Sequence, residues 1–144
     1  MPDSHQAMVH AAFSMASRRS ELRRLLRQVD DFAHRNDLPA QAWFCARLAL
    51  EEIISNLLKY AYPEKTEHMI VIRVALHPRE LALRIEDDGQ RFNPLEHIQD
   101  KSNEGVENKA QGGHGLLLVK SLMDEFKYHR YWRKNIVTLK KRIN

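Results

Sequence analysis

The chain has 144 residues, the size of one domain, and its 43% hydrophobic content is enough for a single core of ordinary density. Charged residues make up 29% of it, with only 5 glycines and 5 prolines, which excludes a disordered, fibrous or low-complexity protein. The formal charge is +4, but basic and acidic residues are interspersed and no nucleic-acid motif accompanies them, so direct nucleic-acid binding is not expected.

No apolar run approaches the roughly 20 residues needed to cross a bilayer, and the first residues lack the basic-then-apolar layout of a signal peptide. A cytoplasmic location without a membrane partner is expected. The single Cys45 has no disulfide partner and falls in a helical stretch, where it reads as a small core residue.

In chain order, residues 8–16 alternate loosely and predict an edge strand. Leu22, Leu25, Leu26, Val29 and Phe32 then recur at helical spacing, with Ser17 or Ser20 placed to cap the helix. Asn36 to Pro39 break the pattern, Asp37 being a candidate cap and Pro39 suiting a first turn. A second helix is predicted over 39–60, because Ala42, Ala46, Ala49, Leu50, Ile53, Leu57 and Tyr60 form one stripe. Pro63 ends it. Strand-like runs at 68–76 and 80–87 flank a short break at His77, Pro78 and Arg79, which predicts a hairpin. Residues 93–113 are polar with little periodicity, and a loop of that length inside a compact domain suggests a functional lid. A helix over 115–125 and strands over 126–132 and 136–143 complete the chain. No internal repeat or linker interrupts it, so one domain is expected.

Three segments carry residues suited to chemistry. Glu52 and Asn56 lie one helical turn apart at the edge of the apolar stripe. An amide oxygen from Asn56 is a hard ligand for Mg²⁺, and Glu52 can accept a proton from a nucleophile; alone, the pair also reads as the wet side of an amphipathic helix. In Ile85-Glu86-Asp87-Asp88-Gly89-Gln90-Arg91-Phe92 a strand runs into acidic residues and a glycine. Asp87 can accept from an exocyclic amine, which distinguishes adenine from guanine, and Gly89 allows backbone to approach a ring; a tight turn would use the same residues. In Gln111-Gly112-Gly113-His114-Gly115-Leu116, glycines stand where a loop becomes a helix, whose freed N–H groups suit phosphate. These glycines also fit an unusual turn, and His114 reads as a loop residue. The order of the three segments is far more specific than any one of them.

In that order the chain resembles the GHKL ATPases, and among them the short stand-alone anti-sigma-factor serine kinases, or switch-protein kinases. LALEEIISNLLKYAYP is similar to the family's N box, IEDDGQRFNP to its first glycine box and GGHGLLLVKSLMDEF to its second, followed by the basic closing strand NIVTLKKRI. The resemblance implies one GHKL domain over residues 1–144: an α/β chain of the α+β two-layer sandwich type, the Bergerat fold, with a mixed, mostly antiparallel sheet and helices on one face. It implies ATP and Mg²⁺ as cofactors, Asn56 on the metal, Glu52 as catalytic base, Asp87 and Gly89 at adenine, and an ATP lid near 93–113. Phe92, Gly112, Gly113, His114, Gly115 and Leu116 complete the implied nucleotide-binding set.

The implied activity is transfer of phosphate from ATP to a serine on a small anti-sigma-factor antagonist, with sequestration of a sigma factor by a homodimer in a partner-switching pathway. Arg23, Arg24 and Arg27 on the first helix are candidates for an exposed partner surface. Tyr60 stands where relatives often have histidine, and Gln111 where some kinases have arginine. Loss of a cation near the terminal phosphate weakens phosphoryl transfer more than binding, which keeps open an ATP-gated binding module that transfers phosphate poorly.

Overall fold

A computed structural model describes residues 8–64, 66–98 and 114–143. Five strands, β1 (Val9–Ala16), β2 (Met69–His77), β3 (Glu80–Asp87), β4 (Glu125–Tyr131) and β5 (Lys134–Arg142), form one sheet in the order β1-β2-β3-β5-β4. Each described pair is antiparallel, so the sheet expected to be mostly antiparallel is antiparallel throughout its described strands. Residues 8–16 supply an edge strand as the sequence suggests, and β2 and β3 are the expected hairpin.

Strand alternation separates the two faces of the sheet. Ile70, Ile72, Val74, Leu81, Leu83, Ile85, Val137 and Leu139 are buried toward the helices, while Ala12, Arg73, Ala75, Ala82, Arg84 and Thr138 are exposed or half-buried on the opposite side. Against the buried face lie α1 (Leu22–Arg35), α2 (Ala40–Tyr60) and α3 (His114–Leu122). The expected α+β two-layer arrangement, with helices on one face, is therefore observed. The buried stripe of α2, with Ala46, Ala49, Leu50, Ile53 and Ile54 fully shielded, lies at the centre of the core, and Cys45 packs there as a small apolar residue. Among the described residues no helix is long and apolar enough to cross a membrane.

The expected side-chain helix caps do not form. Ser17 Oγ accepts from His68 N at 2.8 Å, and Ser17 N donates to His68 O at 2.8 Å, tying the end of β1 to the start of β2. Ser20 lies within a 3-10 turn, Arg19–Glu21, that leads into α1 without a side-chain cap. Asp37 adopts a left-handed backbone, φ 53°, and Pro39 stands at the N-cap of α2, again with no side-chain hydrogen bond. α3 stops at Leu122 rather than 125, because Asp124 N bonds to Lys140 O at 2.9 Å and turns the chain into β4. Of the candidate partner-facing arginines, Arg23 and Arg27 are exposed. Arg24 is engaged with Glu21 at 2.9 Å and with Ser14 O at 3.1 Å, so it is not a free surface cation.

Leu50 has no exposed surface and nothing polar to compensate its loss. Leu50→Ala is expected to destabilise the fold by about 2–5 kcal/mol through lost burial and the cavity left behind, measured by urea denaturation.

Candidate active site

Glu52, Asn56 and Tyr60 succeed one another at four-residue spacing along α2, so they share one face of that helix. Asn56 is buried, and its Nδ2 donates to the Glu52 carbonyl at 2.7 Å. That bond commits the nitrogen to the helix and leaves Oδ1 as the atom suited to a hard cation.

At one end of this face, the Glu52 carboxyl packs directly on Gly115, in the first turn of α3. A Cβ at Gly115 would collide with it. A helix N-terminus favours negative charge, through its free N–H groups and its dipole. At the other end, the Tyr60 ring stacks on Phe92 (centroids 5.3 Å, planes 21° apart) and on His97 (5.4 Å, 22°).

Asp87 ends β3 on the buried side of the sheet and is 3% exposed. Its Oδ2 accepts from Gly89 N at 2.8 Å, Tyr62 OH at 2.9 Å and Asn135 Nδ2 at 3.3 Å. Its Oδ1 is equally buried and has no hydrogen-bond partner among the described residues. Such a carboxylate oxygen is costly unless something donates to it. Burial pushes the Asp87 carboxyl above its ordinary value, while the donors from Gly89, Tyr62 and Asn135 pull it down. Burial first, and then the adjacent Asp87 charge, push the Tyr62 hydroxyl far above the ordinary tyrosine range, so it remains a donor.

Gly89 is required by close approach. A Cβ there would stand 2.5 Å from the Ala61 carbonyl and 2.7 Å from the Tyr62 ring. The loop is clamped by Gln90 N to Ala61 O (2.9 Å), Gln90 Nε2 to Tyr60 O (2.8 Å) and Arg130 Nη1 to Gly89 O (2.9 Å). Beside it, His68 bridges Asp88 at 2.6 Å and Glu64 at 2.7 Å, and these carboxylates, Asp88 foremost, raise its pKa.

The structure thus gathers Asp87, Gly89 and Phe92 in one loop, joins Glu52 to Gly115, and sets Asn56 between the two groups on α2. The Phe92 ring and the Leu116 side chain pack in the core, at 4% and 0% exposure. His114 opens α3. Gly112, Gly113, Gln111 and positions 99–113 of the expected lid lie outside the described residues; its first part, after Asn93, holds a 3-10 turn, Pro94–His97. Sequence reasoning missed Tyr62, Arg130 and Asn135. The one available signal was an amide, Asn135, directly before the apolar pair Ile136 and Val137 of the closing strand.

The two glycines predict different phenotypes. Gly89→Ala drives a methyl into backbone and a buried ring and is expected to destabilise by about 1–3 kcal/mol. Gly115→Ala meets only the end of a flexible side chain, so Tm is expected to hold while Glu52 is displaced; thermal melts of both variants check this. Asp87 yields a pH signature. Its raised folded value means that, above the ordinary aspartate range, the folded state keeps a proton the unfolded state has released, so stability falls as pH rises through that window. Asp87→Asn is therefore expected to gain stability relative to wild type as pH rises from 4 to 7 on the scale of ordinary carboxylate titration, about 3.9. Denaturant titrations at both pH values measure the difference, and an unchanged difference contradicts it.

The model of the histidine kinase-like ATPase domain matches residues 15–141. The chain is 25% identical over 111 residues to the serine/threonine-protein kinase BtrW of Bordetella bronchiseptica, covering 77% of this chain and 78% of that one. It is 30% identical over 91 residues to the serine-protein kinase RsbW of Oceanobacillus iheyensis (60% and 57% of the two chains). The RsbW of Staphylococcus epidermidis is 31% identical over 85 residues (56% and 54%). The matches thus span little more than half the length of the RsbW relatives. With the domain model matched over most of its length, the chain belongs to the histidine kinase-like ATPase domain family.

Proposed function

We propose that this chain is an ATP-dependent protein serine kinase and anti-sigma factor that phosphorylates a small antagonist protein. The observation that carries the reading is the buried Asp87 Oδ1: three donors occupy the other oxygen of the same carboxylate, so this one is left as a preset acceptor for an exocyclic amine such as adenine's. Eight residues of α2 separate Tyr60 from Glu52, a rise of about 12 Å, on the scale of an extended nucleotide from base to terminal phosphate. The adenine end then lies at Asp87 and Gly89, and the phosphate end at Asn56, Glu52 and the start of α3.

Bound Mg²⁺ would neutralise charge on the phosphates. Asn56 would hold that ion through Oδ1, and Glu52 would accept the proton of the incoming serine hydroxyl. The residues present fit this group: an amide whose nitrogen is already engaged, a carboxylate one turn away, and a helix N-terminus facing it. The names of the BtrW and RsbW relatives support phosphoryl transfer to protein. In the same reading, residues 93–113 form the lid, the protein is a cytoplasmic homodimer, and the added phosphate, about −1.5 to −2 in charge, releases the antagonist so that the sigma factor is held.

Glu52→Gln is expected to lower single-turnover phosphate transfer to a serine-bearing antagonist by about 10²–10⁴-fold and to leave ATP affinity essentially unchanged. A variant that keeps the full rate removes Glu52 as the base. A wild type that binds ATP and its antagonist yet transfers nothing supports an ATP-gated binding module instead.

A further inference from the structure

Asn135 heads β5 in register with Asp87 across the β3–β5 pair, and it is 1% exposed. A buried amide must satisfy two N–H donors and a carbonyl oxygen. Here Oδ1 accepts from Phe92 N at 3.0 Å, Tyr128 OH at 2.6 Å and Arg130 Nη1 at 3.1 Å. Three donors converging on one atom determine which end of the amide is oxygen, because a flipped amide would set N–H groups against the Phe92 amide and the Arg130 guanidinium. Nδ2 is thereby turned to Asp87 Oδ2 at 3.3 Å and to Gln90 O at 2.9 Å.

One side chain therefore holds both the carboxylate and the loop that follows it. Arg130 reinforces the loop by donating to Gly89 O as well as to Asn135. Oδ2 is occupied by N–H and O–H donors from Gly89, Tyr62 and Asn135, which leaves Oδ1, buried and without a partner among the described residues, as the oxygen available to accept from a ligand. Adenine offers an amine donor at the position where guanine offers a carbonyl acceptor. An acceptor fixed at Oδ1 suits the first and repels the second.

We propose that Asn135 is a positioning residue that sets the preference for adenine over guanine by holding the free oxygen of Asp87 as an acceptor; this rests on the nucleotide reading above. Asn135 does not itself touch the base. Its influence passes through the Asp87 carboxylate and through Phe92 N, and β4 supports it through Tyr128 and Arg130.

The test uses two isosteric, β-branched substitutions suited to a strand: Asn135→Thr keeps a hydroxyl able to donate toward Asp87, and Asn135→Val does not. Calorimetry of the full chain with ATP and with GTP, both with magnesium, gives the affinity ratio, and thermal melts of the free proteins report folding. Wild type and Asn135→Thr are expected to prefer ATP. In Asn135→Val the ratio is expected to fall by about 10-fold or more, the scale of one hydrogen bond to a charged group. Asn135→Asp, which keeps the acceptor for Phe92, Tyr128 and Arg130 but turns a second acceptor on Asp87, is expected to lose the preference as well. A merely structural role would weaken both nucleotides by the same factor. Equal ratios in wild type, Thr, Val and Asp variants overturn the assignment of Asn135 while leaving ATP binding intact. A folded wild type that binds neither nucleotide removes the nucleotide reading, and this proposal with it.

Discussion

A carboxylate buried at the end of a central strand organises this molecule. Asp87 faces the core because β3 alternates, and its burial raises the free-energy cost of its charge, so the surrounding chain is arranged to supply donors. Gly89 brings its backbone N–H within reach, Tyr62 contributes a hydroxyl from beyond the end of α2, and Asn135 contributes an amide from the neighbouring strand. These donors come from parts of the chain far apart in sequence, and they converge because α2, β3 and β5 share one core. Even so, one oxygen has no hydrogen-bond partner among the described residues. A buried acceptor left over after such an arrangement is what a preformed ligand site requires.

The two ends of the site differ physically. The Asp87 end is tightly constrained: Gly89 sits against a carbonyl and a ring, and Arg130, Gln90 and Asn135 hold the loop. The Glu52 end depends on a glycine contact with the tip of a flexible side chain and on the first turn of α3. In the proposed function the first end reads the base and the second acts on phosphate. α2 fixes the spacing between them, since a helix in the middle of the core cannot change its length.

Much of the architecture was legible in the sequence because it follows from local periodicity. The stripe from Ala42 to Leu57 required a helix buried along one side, and the runs around His77, Pro78 and Arg79 required a hairpin. Capping was less legible. Ser17 bonds to His68, 51 positions away, because strand pairing overrode the local preference of that side chain, whereas Asp37 takes the left-handed backbone that closes α1, where Asp37 N bonds to His34 O and Leu38 N to Ala33 O. The end of α3 was likewise set by a bond from Asp124 to Lys140 in β5. At the site, Glu52, Asn56, Asp87 and Gly89 stood out as residue types in a suggestive order. Asn135 did not, because its role exists only through a register that sets it opposite Asp87, 48 positions earlier. Tyr62 was hidden for the same reason: beside Pro63 it looked like the end of a helix, and only the fold turns its hydroxyl to Asp87.

The most direct test compares the binding of ATP with that of purine riboside triphosphate, which has the same phosphates and sugar but lacks the exocyclic amine. If Asp87 Oδ1 is the acceptor for that amine, ATP binds about 10- to 100-fold more tightly, the range of a hydrogen bond to a charged group. Equal affinities for the two nucleotides would contradict the role assigned to the buried carboxylate.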